Sequence, residues 1–243
     1  MSIDTSVPPP YAHQTDTTTF ITNHPRCFIT SDPGTGKTRS VLDAHVPLGC
    51  PTLVLAPFSI LEAAWLDDIK KFQPTINCGV AYAKNRKKIF EDKTFDMVVT
   101  NFEAVTYLIK NPEVLKRFDT LVVDEFTAFK NKDSKRSKNL KAIVDNFDRR
   151  IFMSGTPNSN TILDLWHPAL CVDDGKRLGN RFYSFRNQVC TSRFNGFANE
   201  WIDKPGIEET VAQMLSDITI RHALEDCIDL PKNIVRTLYT DLS

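Results

Sequence analysis

The sequence predicts an α/β protein with a doubly wound, mainly parallel sheet that carries helices on both faces. Short apolar runs alternate along the chain with longer segments of helical periodicity. Two of the runs, Leu53–Leu55 and Leu121–Val123, contain no polar residue. Strands without polar alternation are typical of parallel sheets that are covered on both faces. Strand–helix–strand order then favours a doubly wound arrangement.

The pattern divides the chain into three parts. Residues 1–10 contain three consecutive prolines and are predicted to form a flexible tail. Residues 11–170 carry the sheet, with strands predicted at Arg26–Thr30, Thr52–Ala56, Asn77–Tyr82, Phe95–Asn101, Leu121–Asp124 and Arg150–Ser154. The helices of this part are predicted at Lys37–Ala44, Ile60–Phe72, Lys84–Phe90, Phe102–Ile109, Lys135–Phe147 and Thr161–Leu170.

Residues 171–243 are predicted to form an accessory helical segment, because the strand–helix alternation fades there. We expect the aromatic and basic stretch Arg181–Trp201 to pack as a helix pair, with stacking on unpaired bases as the alternative. A further helical pattern covers Glu208–Ile220. The last residues are expected to begin a linker toward another domain.

Composition excludes several classes of protein. The 243 residues are 41% hydrophobic and 25% charged, which is typical of a globular protein. No run approaches the roughly 18 apolar residues of a membrane helix, so no membrane partner is predicted. The six cysteines form no CxxC pair, which favours reduced thiols in a cytosol. Thirty basic residues balance thirty acidic ones, so nucleic-acid binding would need local patches.

The segment Ser31–Thr38 has the features of a phosphate-binding loop. It follows a predicted strand and precedes a predicted helix, as a triphosphate site requires. Glycines allow the loop to turn its N–H groups inward, while a lysine and a hydroxyl reach the phosphates and Mg²⁺. A small residue, Ser31, stands where the usual pattern has its first glycine. The sequence thus predicts a P-loop nucleotide-binding protein whose phosphate contacts are Gly34, Thr35, Gly36, Lys37 and Thr38.

Two further strand ends carry candidate functional side chains. Asp124 and Glu125 close an apolar strand, and such a pair holds magnesium and positions or deprotonates the attacking water in nucleotide hydrolases. Ser154, Gly155 and Thr156 follow the next strand and could sense the γ-phosphate. A simple turn before Pro157 is the alternative for this last group.

These elements, in this order, resemble the first RecA-like lobe of superfamily-two helicases, the DEAD/DEAH-like ATP-binding domain, and more closely its SWI/SNF-type branch. The resemblance extends from about Tyr11 to Ser243. Besides the segments above, it is carried by Tyr11–Gln14, Leu53–Pro57 with Trp65, Thr100–Glu103, Asp124–Asn131, Ser134–Lys138, Ser154–Asn160, Arg221–Lys232 and Asp241–Ser243.

The resemblance implies a role for each matched residue. Gln14 would recognise adenine, Lys37 would bind the phosphates, Thr38 and Asp124 would hold Mg²⁺, and Glu125 would activate water. Ser154, Gly155 and Thr156 would couple nucleotide state to the rest of the protein. The matched segments Leu53–Pro57, with Trp65, and Thr100–Glu103 would grip a nucleic-acid strand.

The function implied is that of an ATP-dependent motor lobe of a helicase or translocase, acting on DNA rather than RNA. A second RecA-like lobe, in the same chain or another, would supply arginine fingers, so hydrolysis by this lobe alone would be weak. We expect it in the cytoplasm of a bacterial or virus-infected cell. The alternatives are a non-catalytic, nucleotide-regulated DNA- or protein-binding module and a motor subunit of a restriction or defence complex.

Two basic clusters, Lys84–Lys88 and Lys130–Lys141, are the candidate nucleic-acid patches. Each could neutralise backbone phosphates and thereby make binding salt-dependent. A solvated helix face explains either cluster equally well.

Overall fold

A seven-stranded, all-parallel sheet organises the computed structural model, which describes residues 7–156, 160–194, 196–197 and 199–227. Its strands lie in the order β3-β4-β2-β5-β6-β1-β9. They are β1 (Arg26–Ile29), β2 (Thr52–Ala56), β3 (Cys78–Ala81), β4 (Met97–Asn101), β5 (Thr120–Asp124), β6 (Arg149–Met153) and β9 (Thr219–Ile220). A separate antiparallel hairpin pairs β7 (Cys190–Phe194) with β8 (Asn199–Asp203).

Helices cover both faces of this sheet. They are α1 (Ala12–Asn23), α2 (Lys37–Leu48), α3 (Asp67–Phe72), α4 (Arg86–Glu91), α5 (Ala104–Lys110), α6 (Lys135–Val144), α7 (Trp166–Asp173), α8 (Phe182–Val189), α9 (Ile207–Leu215) and α10 (Leu224–Cys227). Short 3₁₀ turns occupy Phe58–Ile60, Pro112–Arg117, Phe126–Phe129, Ile162–Leu165 and Ser216–Ile218, and a π-helix spans Leu61–Leu66.

The core confirms that the sheet is covered on both sides. Alternate residues of one strand enter different hydrophobic clusters: Leu121 and Val123 of β5 pack in one, and Val122 packs in the other. Helices α5, α6 and α7 contribute to the first cluster, whereas α1, α2 and the Leu61–Leu66 segment contribute to the second. Burial on both faces of the sheet therefore explains why these strands show no alternation of polar and apolar residues.

Helix α1 was not among the predicted helices, because it has almost no apolar face. Threonines, which favour strands over helices, fill much of it. Their hydroxyls donate to carbonyls four residues earlier, from Thr17 to His13 at 2.8 Å and from Thr18 to Gln14 at 2.8 Å. Packing against α2 then holds the helix in place.

The accessory segment differs from its prediction in two places. The pattern predicted as helical over Glu208–Ile220 ends as α9 at Leu215, and Thr219–Ile220 instead pairs with β1 as the seventh strand. The stretch Arg181–Trp201 is not a helix pair, since α8 is followed by the β7–β8 hairpin. A two-residue strand is too short to show periodicity. In the other stretch, Asn195-Gly196 in the sequence is a dipeptide typical of hairpin turns, which favours a hairpin over a helix pair.

The predicted tail contacts the lobe in its second half. The Arg39 guanidinium donates to the carbonyls of Pro8 at 2.5 Å and Pro9 at 3.4 Å. Residues 1–6 and the family-like segments Leu230–Lys232 and Asp241–Ser243 lie outside the described residues. Among the helices of the described ranges, none has the length and hydropathy to cross a membrane.

A buried arginine, Arg150, forms ion pairs at the edge of the sheet opposite the phosphate loop. The Arg150 side chain is 2% exposed and donates to Asp174 Oδ1 at 2.6 Å and Asp145 Oδ1 at 3.1 Å. Burial raises the pKa of Asp174, but hydrogen bonds from Arg150 and Arg26 outweigh it and lower that pKa to about 2. Asp174 therefore stabilises the fold as an anion.

We predict that Asp174→Asn lowers the free energy of unfolding by about 1–2 kcal/mol at neutral pH, because a charged hydrogen-bond acceptor of Arg150 is lost at a partly exposed site. Asparagine tolerates the left-handed backbone found here, φ +60°. The folded pKa lies below the usual 3.8. The wild-type advantage is therefore fully present above about pH 4 and is lost as the pH falls toward about 2.

Urea denaturation at several pH values measures this difference. Asp145→Asn, which removes the more exposed partner of Arg150, is the control and should cost less. A wild-type advantage over Asp174→Asn that does not change between neutral and acidic pH would contradict the assignment.

Candidate phosphate-binding site

The predicted functional segments converge at the carboxyl edge of the sheet. Strand β6 hydrogen-bonds to β1 on one side and to β5 on the other, so the three loops that follow these strands are neighbours. Ser31–Thr38 follows β1, Asp124 ends β5 and is followed by Glu125, and Ser154 follows β6. Ligands of open α/β sheets bind at this edge.

The phosphate loop depends on glycine at two positions. Gly34 has φ +87° and Gly36 has φ +78°, both in the left-handed region that side chains disfavour. A Cβ on Gly36 would also lie 2.3 Å from Gln14 Nε2. Lys37 begins α2, and its ammonium donates to the carbonyls of Ser31 at 2.9 Å and Asp32 at 3.1 Å. The loop curls around its own lysine in the manner of a phosphate cradle.

Lys37 shares an electrostatic environment with both carboxylates of β5. Burial lowers the pKa of Lys37, and the nearby charges of Glu125, Asp124 and Asp32 partly restore it. These groups therefore lie on the same side of the molecule and belong to one site.

Asp124 is a buried carboxylate, 5% exposed, that suits a divalent cation. Burial raises its pKa to about 6 and the Glu125 charge adds to this rise, while hydrogen bonding from Trp65 and the charge of Lys37 oppose it. The Trp65 indole N–H donates to Asp124 Oδ2 at 3.0 Å. A cation would stabilise the ionised form, and Thr38 offers a hydroxyl in the first turn of α2. This donor set fits Mg²⁺.

Glu125 is linked to the segment after β6. Its backbone is left-handed, with φ +55°, which is uncommon for a residue other than glycine. The Ser154 hydroxyl donates to Glu125 Oε2 at 2.9 Å and accepts from the Thr156 N–H at 3.2 Å. Gly155 lies against the phosphate loop, where an added Cβ would meet Pro33 Cγ at 2.7 Å. Ser154, Gly155 and Thr156 thus bridge the acidic pair and the loop; residues 157–159 lie outside the described ranges.

Gln14 lies against the phosphate loop. Its Nε2 donates to the Thr35 carbonyl at 3.2 Å, and its Oε1 accepts from the Tyr11 N–H at 3.1 Å. His13, which the sequence interpretation overlooked, donates from Nε2 to the same Thr35 carbonyl at 2.8 Å. The start of α1 is therefore fastened to the loop by two side chains.

A segment near the end of the described chain also holds the loop. We call residues 221–224 the exit segment. His222 exchanges hydrogen bonds with the loop, donating its N–H to Ser31 Oγ at 3.0 Å and accepting at its carbonyl from the Asp32 N–H at 3.0 Å. The Asp32 carboxylate accepts from the Leu224 N–H at 3.1 Å and pairs with Arg221 at 3.4 Å. The Ser31 hydroxyl, which a glycine at this position would lack, provides one of these contacts.

Trp65 does not face a nucleic-acid surface, contrary to the role that the resemblance implied. It is fully buried, and its N–H reaches Asp124 across 59 positions of sequence. This contact forms because the fold brings the segment after β2 against the end of β5.

The basic cluster Lys130–Lys141 is largely neutralised by acidic neighbours. Its ion pairs are Lys130–Asp164 at 3.0 Å, Lys132–Asp133 at 2.6 Å, Arg136–Glu103 at 3.3 Å and Lys141–Asp145 at 3.1 Å. Within the described ranges, no ion pair forms at Lys135 or Lys138. In the other cluster, Arg86 donates to Asn101 at 3.1 Å. Lys87 pairs with Glu91 at 3.9 Å in the same cluster. Acidic partners therefore account for most of the charges of Lys130–Lys141 but not for those of Lys84–Lys88.

The fold and the site together define a P-loop nucleotide-binding lobe of the RecA type. A family model described as the SNF2-related domain matches residues 11–243, and the chain belongs to this family. The predicted resemblance to the N-terminal lobe of SWI/SNF-like superfamily-two proteins is thereby confirmed, and family membership implies a nucleotide site.

Several proteins that are longer than this chain are similar to it. Protein p41 of Acyrthosiphon pisum secondary endosymbiont phage 1 is 27% identical over 98% of this chain and 55% of its own length. An uncharacterized ATP-dependent helicase of Mycoplasma genitalium is 28% identical over 89% of this chain and 20% of its own. The Sulfolobus solfataricus SWI2/SNF2 ATPase core, solved with dsDNA, matches at 22% identity and a TM-score of 0.73, over 91% of this chain and 47% of its own. The chain thus spans about half the length of the phage and archaeal proteins.

We predict that Gly36→Ala weakens nucleotide binding by at least about tenfold, because the new methyl group displaces Gln14 and strains the loop. Titration with a fluorescent ATP analogue and Mg²⁺ measures the effect. Gly49→Ala is the matched control, since Gly49 has φ +59° at the far end of α2 with open space around it. Wild-type binding by Gly36→Ala would show that the close approach of Gln14 has no bearing on the site.

We also predict that Asp32→Ala loosens the exit segment. Amide exchange at Leu224 should become about tenfold faster, since its N–H loses the Asp32 acceptor. Hydrogen exchange measured by NMR reports this directly. Asp67→Ala, which removes an exposed carboxylate paired with Lys70, should leave Leu224 unchanged. Unaltered exchange at Leu224 in Asp32→Ala would argue against the contact.

Proposed function

We propose that this chain is the ATP-binding motor lobe of a SWI/SNF-like DNA helicase or translocase. It would couple ATP hydrolysis to movement on nucleic acid when paired with a second RecA-like lobe. The observation that carries the proposal is the shared site of Lys37, Asp124 and Glu125 at the carboxyl edge of the sheet, with Ser154 bonded to Glu125. A phosphate loop, a cation ligand and a water-activating carboxylate are the parts that phosphoryl transfer to water requires.

Each residue has a definite task in this proposal. The amides of the loop from Gly34 to Gly36, the start of α2 and the Lys37 ammonium bind the phosphates. Thr38 and Asp124 hold Mg²⁺, which neutralises charge on the phosphate oxygens when bound. Glu125 orients the attacking water and accepts its proton.

Ser154 is suited to report nucleotide state because its hydroxyl joins Glu125 to the backbone of Thr156. A shift of the Glu125 side chain on water binding would alter both hydrogen bonds. Gly155, packed against Pro33, would transmit movement of the phosphate loop to the same segment.

Gln14 remains the proposed adenine reader. One amide N–H and one lone pair of its oxygen are used by Thr35 and Tyr11, which leaves a second donor and a second lone pair. An adenine edge presents the complementary acceptor and donor, N7 and N6–H₂. The existing contacts would hold the amide in a fixed orientation for this reading.

The proposed partners are DNA and a second lobe. The similar archaeal core was solved with dsDNA, and it extends beyond the part that this chain matches. We place the nucleic acid at the carboxyl ends of β2 and β4, in contact through its phosphates. Pro57 and Asn101 are partly exposed there, whereas Leu53–Ala56 and Thr100 are buried and would support these ends from below. An arginine finger from the second lobe would raise the hydrolysis rate by roughly 10³–10⁵. The proposed location is the cytoplasm of a bacterial or virus-infected cell.

Binding and hydrolysis assays on the whole chain test the proposal. The wild type should bind ATP with Mg²⁺ and hydrolyse it slowly. Lys37→Ala should lose binding, whereas Glu125→Gln should bind ATP normally but not hydrolyse it, because the water lacks its proton acceptor.

Three results would change the interpretation. No ATP binding by a folded wild type would overturn the nucleotide site. Fast, DNA-stimulated turnover by the chain alone would overturn the need for a second lobe. Identical slow hydrolysis by the wild type and Glu125→Gln would favour a non-catalytic, nucleotide-regulated binding module.

A further inference from the structure

We propose that Trp65 is a positioning residue that fixes the orientation of the Asp124 carboxylate and thereby sets the affinity of the site for its divalent cation. The inference rests on the proposed function, because it concerns the same nucleotide site. A buried residue of the segment after β2 would thus contribute to cation binding at the end of β5.

Local backbone structure delivers Trp65 to this position. After β2 the chain makes a 3₁₀ turn and then a π-helix over Leu61–Leu66, which places Trp65 in the core with no exposure. Segments of π-helix are rare and lie frequently at functional sites. The indole N–H donates to Asp124 Oδ2 at 3.0 Å.

The chemistry of the indole suits a supporting group. It offers one N–H donor and no acceptor, and so it cannot take the place of the carboxylate at the cation. A hydrogen bond to one carboxylate oxygen restricts rotation of the group, so that its lone pairs point in fixed directions. Removing a partner that orients a metal-binding side chain in this way typically weakens metal affinity by about ten- to a hundredfold.

A purely structural role would be the simpler explanation, since a buried tryptophan usually finds a hydrogen-bond acceptor. A second tryptophan of the chain is an example of this structural role. Trp166 is also buried and donates its indole N–H to the backbone carbonyl of Gly179 at 3.1 Å. Trp65 instead donates to the side chain that the proposed cation requires. The two residues therefore form a natural pair for comparison.

The first experiment is a Mg²⁺ titration of the whole chain with a fluorescent ATP analogue, in the wild type, Trp65→Phe and Trp166→Phe. Phenylalanine keeps an aromatic ring but lacks the N–H. Trp65→Phe should need about ten- to a hundredfold more Mg²⁺ for half-maximal binding. Its affinity for the analogue in EDTA should be unchanged. Trp166→Phe should match the wild type in both measurements.

A second measurement uses only the wild type and so does not depend on the folding of a variant. The indole N–H resonances of ¹⁵N-labelled protein are followed by NMR as nucleotide and Mg²⁺ are added. The Trp65 signal should shift when Mg²⁺ is added to the nucleotide complex and should stay in place with nucleotide in EDTA. The Trp166 signal should not respond to Mg²⁺.

Each outcome decides between explanations. An unchanged Mg²⁺ midpoint in folded Trp65→Phe, or equal shifts in both variants, would overturn the positioning role while the nucleotide site stands. A Trp65 resonance that ignores Mg²⁺ would do the same. A wild type that binds no nucleotide at all would overturn the proposed function together with this inference.

Discussion

At one edge of the sheet, side chains of opposite charge stabilise one another although burial disfavours each charge. The rest of the structure depends on this constraint. Burial acts against the charged forms of both Lys37 and Asp124. Each charge favours the other, so the group is tolerable only if its members are held at fixed positions. The fully covered strands β5 and β1 provide that rigidity, because their apolar residues pack on both faces up to the residue where the site begins.

The phosphate loop is held from three directions rather than by its own glycines alone. Helix α1 donates two hydrogen bonds to the Thr35 carbonyl, the segment after β6 packs Gly155 against Pro33, and the exit segment bonds to Ser31 and Asp32. These supports come from residues far apart in sequence. The loop is therefore in direct contact both with the segment linked to Glu125 and with the exit segment.

Strands β1–β6 and the motif residues could be predicted from sequence, because their signals are local. An apolar run such as Thr52–Ala56 and a short pattern such as Gly34–Thr38 each contain their own information. Helix α1, the strand Thr219–Ile220 and the partner of Trp65 could not be predicted in this way. The first is stabilised by packing and threonine hydroxyls, the second by pairing with β1, and the third by a contact formed only after the sheet has assembled.

The distribution of charge limits how this lobe could attract nucleic acid. Equal numbers of acidic and basic residues give no net attraction to DNA, and most of the Lys130–Lys141 cluster is paired within the lobe. Each cation already paired would have to exchange a carboxylate for a phosphate, which yields little net energy in water. Lysines that form no ion pair in the described ranges would release counterions on binding, and in the two basic clusters these are Lys84, Lys88, Lys135 and Lys138. The electrostatic contribution of this lobe to DNA affinity should therefore come from a small number of lysines, and further grip on the strand would fall to backbone groups at the ends of β2 and β4 and to a second lobe.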